Sequence, residues 1–194
     1  MPNVGGHNQM TDGPEYQLHR TVVLVGMMGS GKSAIGRAMA ERLGVPFVDS
    51  DAAIEAAAAL SIAEIFERDG EAFFREREAE VLRRLLSGPP GIVSTGGGAF
   101  LAERNRTAIS EMGVALWLDA DLDTLWDRVR HKDTRPLLRT PNPKQTLTTI
   151  YNERRPIYEH AGVRLQVARD ATIEDTTQSA LDALISRPDI MEIT

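Results

Sequence analysis

The chain of 194 residues contains no cysteine, which excludes disulfide bonds and cysteine-ligated zinc. No apolar run approaches the ~20 residues that a membrane-spanning helix needs. Residues 1–19 lack the basic start and apolar centre of a signal peptide, so we expect a mobile polar extension on a cytoplasmic protein. Acidic residues outnumber basic ones, 28 to 22, which argues against general affinity for nucleic acid. Any anion-binding site must therefore be local.

After residue 20, short apolar segments alternate with amphipathic ones. Predicted strands are 21–26, 46–49, 91–95, 114–118 and 164–167. Predicted helices are 32–43, 52–58, 61–86 with a break at 69–70, 103–112, 122–130, 144–158 and 173–185. This alternation predicts βαβ units and hence the α/β class: one three-layer domain, residues 21–187, with a five-stranded parallel sheet flanked by helices. Residues 1–20 are left as an extension and 188–194 as a tail.

The first predicted strand leads into the sequence GMMGSGKS at residues 26–33, followed by a helix. This is the G-x-x-x-x-G-K-[ST] motif of the P-loop in its required context of strand, loop and helix. Backbone N–H groups in such a loop surround phosphate, the lysine reaches the β- and γ-phosphates, and the last hydroxyl binds Mg²⁺. A simple glycine turn would leave the lysine and serine unexplained. Nucleotide contacts are therefore predicted at Gly29, Ser30, Gly31, Lys32, Ser33 and Ala34.

Ligands of a parallel sheet bind outside the carboxyl ends of its strands, so the residues that follow the next strands are candidates. The second strand ends in Asp49-Ser50-Asp51. If the extended conformation continues, both carboxylates face the same crevice, where one can hold Mg²⁺ and the other can orient an acceptor hydroxyl. The alternative is that Asp49 caps a helix that begins near Ala52.

The third strand is followed by Gly96-Gly97-Gly98. Three glycines contribute no side-chain packing, so the triplet indicates either close approach to a ligand or a flexible turn.

Arginines mark three further positions. Arg75 can form an ordinary surface pair with Glu78, which the sequence alone favours, or a carboxylate clamp. The basic segment around Arg135-Pro-Leu-Leu is either a lid over the γ-phosphate or a solvated loop; it lacks the interleaved aromatic residues typical of nucleic-acid contacts. Arg154 and Arg155 precede a proline and can cap carbonyls or point at a bound anion.

Together these motifs closely resemble the shikimate kinase family over residues 21–184. The resemblance implies an ATP-dependent kinase, with Mg²⁺ and ATP, that phosphorylates the 3-hydroxyl of shikimate in the pathway to aromatic amino acids. It implies a substrate-binding helical segment at about 50–86, a lid at about 131–143, and no nucleic-acid or membrane partner. We also expect a monomer.

The resemblance also implies residue roles. Ser33 and Asp49 associate with magnesium, and Asp51 binds a shikimate hydroxyl and is placed to act as base. Lys32 and Arg135 neutralise charge on the phosphates. The residues that contact the substrate are Arg75, Gly96, Gly97, Gly98 and Arg154. Arg169 is the nearest candidate for the arginine that lies against the adenine. Glu78 becomes the partner of Arg75.

Two other functions remain open at this point. Another small P-loop kinase, acting on gluconate or a nucleoside monophosphate, would share the phosphate loop but not the combined arginine, D-x-D and glycine-triplet pattern. A regulatory module with this fold would usually be fused to a DNA-binding or effector domain, for which the predicted single domain leaves no room. Intact Lys32, Asp51 and Arg135 also favour catalysis.

Overall fold

Five parallel strands form the centre of the computed structural model, which describes residues 16–131 and 136–194. Their order is β3-β4-β2-β5-β6, with β2 at Thr21–Val25, β3 at Phe47–Asp49, β4 at Ile92–Ser94, β5 at Gly113–Ala120 and β6 at Val163–Val167. Every residue of β2 and β5 is buried, as expected for central strands that helices cover on both faces. The predicted five-stranded parallel sheet is confirmed.

Seven helices connect and cover the strands in the described part of the chain: α1 Lys32–Leu43, α2 Ser50–Ala58, α3 Ile62–Leu86, α4 Glu103–Met112, α5 Leu122–Val129, α6 Pro143–Tyr158 and α7 Ile173–Ile185. Local signals set several ends. Ser61 and Glu64 form a capping box at the start of α3, and Gly44 ends α1 in the left-handed conformation with φ 63°. None of these helices combines the length and apolarity of a bilayer-crossing segment.

Helix α3 is interrupted where the sequence predicts a break. Gly70 has φ 81° and ψ 171°, which no helix contains, and a left-handed φ of this kind favours glycine. The second half of α3, from Glu71 onward, therefore takes its own direction. It brings Arg75 to the carboxyl-end edge of the sheet.

The segments assigned to an extension and a tail contain paired strands. Strand β1, Tyr16–Leu18, pairs antiparallel with β7, Met191–Ile193, so that Tyr16 lies opposite Ile193. Leu18 and Met191 are buried in the main core. The described end of the N-terminal extension and most of the C-terminal tail are thus part of the folded domain, a correction to the boundaries of 21 and 187.

Among the residues that the structure describes, two separate hydrophobic clusters stabilise the fold. The larger surrounds the sheet, whereas Ile54, Ile65, Phe74 and Val81 form a smaller one between α2 and α3. The α2–α3 unit therefore has a core of its own, and it carries Asp51 on α2 and Arg75 on α3.

Candidate active site

The phosphate loop occupies residues 26–31 between β2 and α1. Gly31 is the N-cap of α1, with φ 97°, and its conformation turns the chain so that the first turn of the helix opens toward the loop. The loop lies close to α5, because a Cβ added at Gly29 would approach Cγ1 of Val129 to 2.7 Å. Position 29 therefore has no space for a side chain, which fits its place in the motif.

Lys32 lies across this loop. Its Nζ donates hydrogen bonds to the carbonyl oxygens of Gly26 and Met27, both at 2.9 Å, and the residue is only 9% exposed. The ammonium group is thus held over the cradle by backbone oxygens. A positive charge fixed in this position suits the β- and γ-phosphates of a nucleotide.

Ser33 and Asp49 meet at the edge of the loop. Ser33 Oγ donates to Asp49 Oδ2 at 3.1 Å and lies 3.2 Å from Ser94 Oγ, while Asp49 Oδ1 accepts from the backbone N–H groups of Asp51 and Ala52. Asp49 is therefore the N-cap of α2, as in the structural alternative above, and its second oxygen still faces Ser33. A hydroxyl beside a carboxylate is an oxygen donor set that fits Mg²⁺.

Asp51 reaches the site by a different route from the one predicted. The extended conformation ends at Asp49, and Asp51 lies in the first turn of α2, so the two carboxylates are not alternate residues of one strand. Burial raises the pKa of Asp51, and the neighbouring charge of Asp49 adds to this, while Lys32 acts in the opposite direction. Within residues 16–131 and 136–194, Asp51 Oδ1 is buried and has no hydrogen-bond partner.

The glycine triplet is explained by lack of space. A Cβ at Gly96 would lie 2.7 Å from Asp51 Oδ1, and one at Gly98 would lie 2.8 Å from Nη2 of Arg75. None of the three glycines has a positive φ. The side chains of Asp51 and Arg75 thus pack directly against the backbone of this loop, which argues against the flexible-turn alternative.

Arg75 belongs to a partly buried ion pair and not to the exposed surface pair that the sequence favoured. Its Nη1 donates to both oxygens of Glu78 at 3.0 Å, and Glu78 is 2% exposed. Burial raises the pKa of Glu78 although Arg75 lowers it. Glu71 also accepts from Arg75, which fixes the guanidinium beside Gly98. The pair is held in place at a cost of desolvation, as is common at ligand sites.

The two arginines before Pro156 point in different directions. Arg154 Nη1 donates to the carbonyl oxygen of Gly97 at 3.1 Å, and the Tyr158 hydroxyl donates to the same oxygen at 2.6 Å. Burial raises the pKa of Tyr158 to about 12, so this hydroxyl stays protonated. Arg155 turns away to Asp119. Only Arg154 is placed beside the glycine triplet.

A cavity of about 840 Å³ lies at the carboxyl ends of the strands. Nine of the residues predicted from the sequence line it: Gly29, Gly31, Lys32, Ser33, Ala34, Asp49, Asp51, Gly96 and Gly97. Ser30 is buried within the loop, while Arg75, Gly98 and Arg154 adjoin the glycine triplet. Arg169 forms an ion pair with Asp127 on α5, and Arg135 lies outside the described residues.

Sequence reasoning missed the far end of the cavity. Arg128, which donates to the Gly29 carbonyl oxygen at 3.3 Å, lines it together with Val167, Ala171 and Thr172. The last two follow β6, so the rule that ligands bind after parallel strands would have found them had it been applied to the final strand. Arg128 stands at the start of the basic segment around Arg135, and its sequence neighbours gave no reason to single it out.

A P-loop at the central strand and two carboxylates that line one cavity, with two arginines beside the adjoining glycine triplet, define a small-molecule kinase of the P-loop class. Comparisons give the particular family. The family model described as shikimate kinase matches residues 28–185. A shikimate kinase of Ruegeria pomeroyi is 58% identical over 94% of both chains, and one of Cereibacter sphaeroides is 56% identical over 91% of this chain and 88% of its own.

A solved structure agrees with these sequence comparisons. Shikimate kinase from Acinetobacter baumannii, in complex with shikimate, superimposes with a TM-score of 0.80 at 36% identity, covering 86% of this chain and 93% of that one. The chain belongs to the shikimate kinase family. The resemblance inferred from the motifs is confirmed.

Proposed function

We propose that this protein transfers the γ-phosphoryl group of ATP to the 3-hydroxyl of shikimate, giving shikimate 3-phosphate and ADP for aromatic amino-acid biosynthesis. The observation that carries the proposal is the position of Asp51. Its unpartnered buried oxygen faces Gly96 and lies between the phosphate loop and the two arginines that flank the glycine triplet. A hydroxyl donor placed there would satisfy the oxygen and face the transferred phosphate.

At the nucleotide end, we assign the phosphates to the loop from Gly29 to Ala34. Binding of the phosphates would replace the two carbonyl oxygens that now hold Lys32, because a charge-assisted bond to phosphate is stronger than one to a neutral carbonyl. Arg135 is assigned to the same phosphates from the family resemblance alone. For the adenine, Arg169 remains the family-based candidate, and the residues around Val167 and Thr172 form the nearest wall of the cavity.

Ser33 and Asp49 would hold Mg²⁺ with the nucleotide, since their oxygens are adjacent and face the cavity. A metal ion held by these two residues would supply positive charge beside the phosphates. The capping bonds to Asp49 Oδ1 fix this carboxylate and leave its other oxygen directed toward Ser33.

At the acceptor end, we assign the substrate carboxylate to Arg75 and Arg154. Their guanidinium groups reach the glycine triplet from two different helices, α3 and α6, and carboxylates bind such groups through paired hydrogen bonds. Gly96, Gly97 and Gly98 would let the ring lie against the backbone. A carboxylate held there would place a ring hydroxyl within reach of Asp51.

In the reaction, the acceptor oxygen attacks the γ-phosphorus, the bond to the bridging oxygen of ADP breaks, and the hydroxyl proton goes to Asp51. Positioning and charge neutralisation supply most of the rate enhancement, because the transition state is loose. The raised pKa of Asp51 brings it nearer to neutral pH than an ordinary aspartate and so favours proton acceptance. Lid closure would exclude water from the γ-phosphate.

ADP release from Mg²⁺–ATP, measured with shikimate and with gluconate, tests the proposal. We expect turnover only with shikimate. Lys32→Ala should abolish it, and Lys144→Ala, at an exposed lysine 3.6 Å from Asp123, should leave it unchanged. Equal turnover with gluconate would overturn the assignment. We further propose a cytoplasmic monomer, which cell fractionation and sedimentation test.

A further inference from the structure

Asp119 is a buried carboxylate that the reaction does not use. It lies near the end of β5, is 1% exposed, and is flanked by residues of β6. Its oxygens accept from two arginines: Arg155 at 2.6 and 3.1 Å, and Arg164 at 2.9 and 2.6 Å. A buried carboxylate bound by two guanidinium groups is costly to form, so its retention needs a reason.

The two arginines come from different elements. Arg164 lies on β6, which already pairs with β5 through the backbone ladder. Arg155 lies on α6, and both guanidinium groups stack on Trp117, with centroid distances of 5.2 Å for Arg155 and 4.9 Å for Arg164. The bond from Arg155 to Asp119 is therefore the one that joins a helix to the sheet, whereas the bond from Arg164 joins two strands that are already paired.

Helix α6 needs such an attachment near its end. Pro156 lies inside the helix and has no N–H, so the carbonyl group of Asn152 loses its donor and the backbone is weakened at that turn. Side chains hold the turn instead: Arg155 on Asp119, and Arg154 and Tyr158 on the Gly97 carbonyl oxygen. Tyr151 accepts a further hydrogen bond from Arg155 at 2.7 Å.

We propose that the ion pair between Arg155 and Asp119 is a positioning device that aims Arg154 at the carboxylate of the acceptor. Arg154 and Arg155 are adjacent in the same turn, so a helix fixed through one presents the other in a single orientation. The inference rests on the proposed function, because it presumes that Arg154 binds the substrate carboxylate. Arg155 itself does not touch substrate.

The main alternative is that Asp119 only balances buried charge. Substitution of each arginine distinguishes positioning of α6 from simple charge balance. Arg155→Ala and Arg164→Ala each remove one partner of Asp119 and leave the other guanidinium to compensate the carboxylate. Both should lower the melting temperature similarly. Only the first releases α6, so only the first should affect binding of the acceptor.

The experiment compares KM for shikimate, KM for ATP and kcat in these variants, below their melting temperatures. We expect Arg155→Ala to raise the shikimate KM by roughly tenfold, as for a modest misplacement of a binding group, with the ATP KM within twofold. Arg155→Lys keeps a charged donor and should recover part of the loss. Arg164→Ala should leave both KM values within twofold. Equal effects of the two alanine variants would overturn the proposal.

A double-mutant cycle with Arg154→Ala identifies the route of action. If Arg155 acts through Arg154, Arg155→Ala should have no further effect on the shikimate KM once Arg154 is absent. Additive effects would refute this. If Arg154→Ala alone leaves the shikimate KM unchanged, the assignment of Arg154 under the proposed function fails. If Arg154→Ala raises the shikimate KM and Arg155→Ala does not, the positioning inference fails and the proposed function stands.

Discussion

Replacing Asp51 by asparagine should abolish catalysis and stabilise the fold at the same time. Oδ1 of this side chain is buried without a hydrogen-bond partner in the described residues, and the charge of Asp49 is close by. The raised pKa of Asp51 means that burial destabilises its charged form, and asparagine removes the charge but keeps the shape. We therefore expect a gain of about 1 kcal/mol in unfolding free energy, or about 2–4 °C in melting temperature.

The dependence on pH follows from the raised pKa of Asp51. Between its ordinary value of 3.8 and the higher folded value, the folded wild type binds more protons than the unfolded chain. Wild-type stability therefore falls as the pH rises through this window. The advantage of the variant should be absent below the ordinary pKa, grow through the window and stay constant above it.

Thermal unfolding at several pH values, with and without ADP, measures these effects together with steady-state kcat. We expect kcat to fall by about 100-fold or more, the range for loss of a general base, while ADP still raises the melting temperature. Asp123→Asn is the control, because this carboxylate is 70% exposed and should shift neither property. A variant that melts below wild type at neutral pH would refute the reasoning and make Asp51 a structural residue.

Two further changes test the geometry. Gly98→Ala places a methyl group 2.8 Å from the Arg75 guanidinium and should raise the shikimate KM at least several-fold without changing the ATP KM; unchanged kinetics would show that the space is not needed. Ala59 has a left-handed φ of 52°, which glycine adopts without strain, although glycine costs more chain entropy on folding. We therefore expect Ala59→Gly to raise the free energy of unfolding by about 0.5–1 kcal/mol, measured by thermal unfolding. Gly44→Ala, at φ 63° in open space, should do the opposite, and a shared direction would contradict the argument.

The central fold could be predicted because its signals are local. The buried run of β2, the glycine loop after it and the capping box at Ser61 each fix an element within about ten residues of chain. Strands β1 and β7 could not be predicted, because each has three residues and their pairing joins segments more than 170 positions apart. Such short segments acquire strand geometry only from their partner.

The candidate site shows the same difference between residues that local sequence predicts and residues whose placement depends on tertiary packing. Residue types and order suggested Lys32, Ser33 and the carboxylates, but the route of Asp51 depended on whether Asp49 would end the strand or cap the helix. Similarly, the spacing of Arg75 and Glu78 is the same for a solvated pair and for a buried one. Burial there comes from the packing of α3 against the glycine triplet, which no window along the chain contains.

The pairing of β1 with β7 has a mechanical consequence. Tyr16 and Ile193 face each other at the same end of a three-residue antiparallel ladder, so a pull on the outer ends of both strands would open it like a zipper, one rung at a time. In a single-molecule experiment with force applied at these two positions, we expect this short strand pairing to break first. The phosphate loop, which follows the carboxyl end of the central strand β2, would still be intact when the β1–β7 pairing broke.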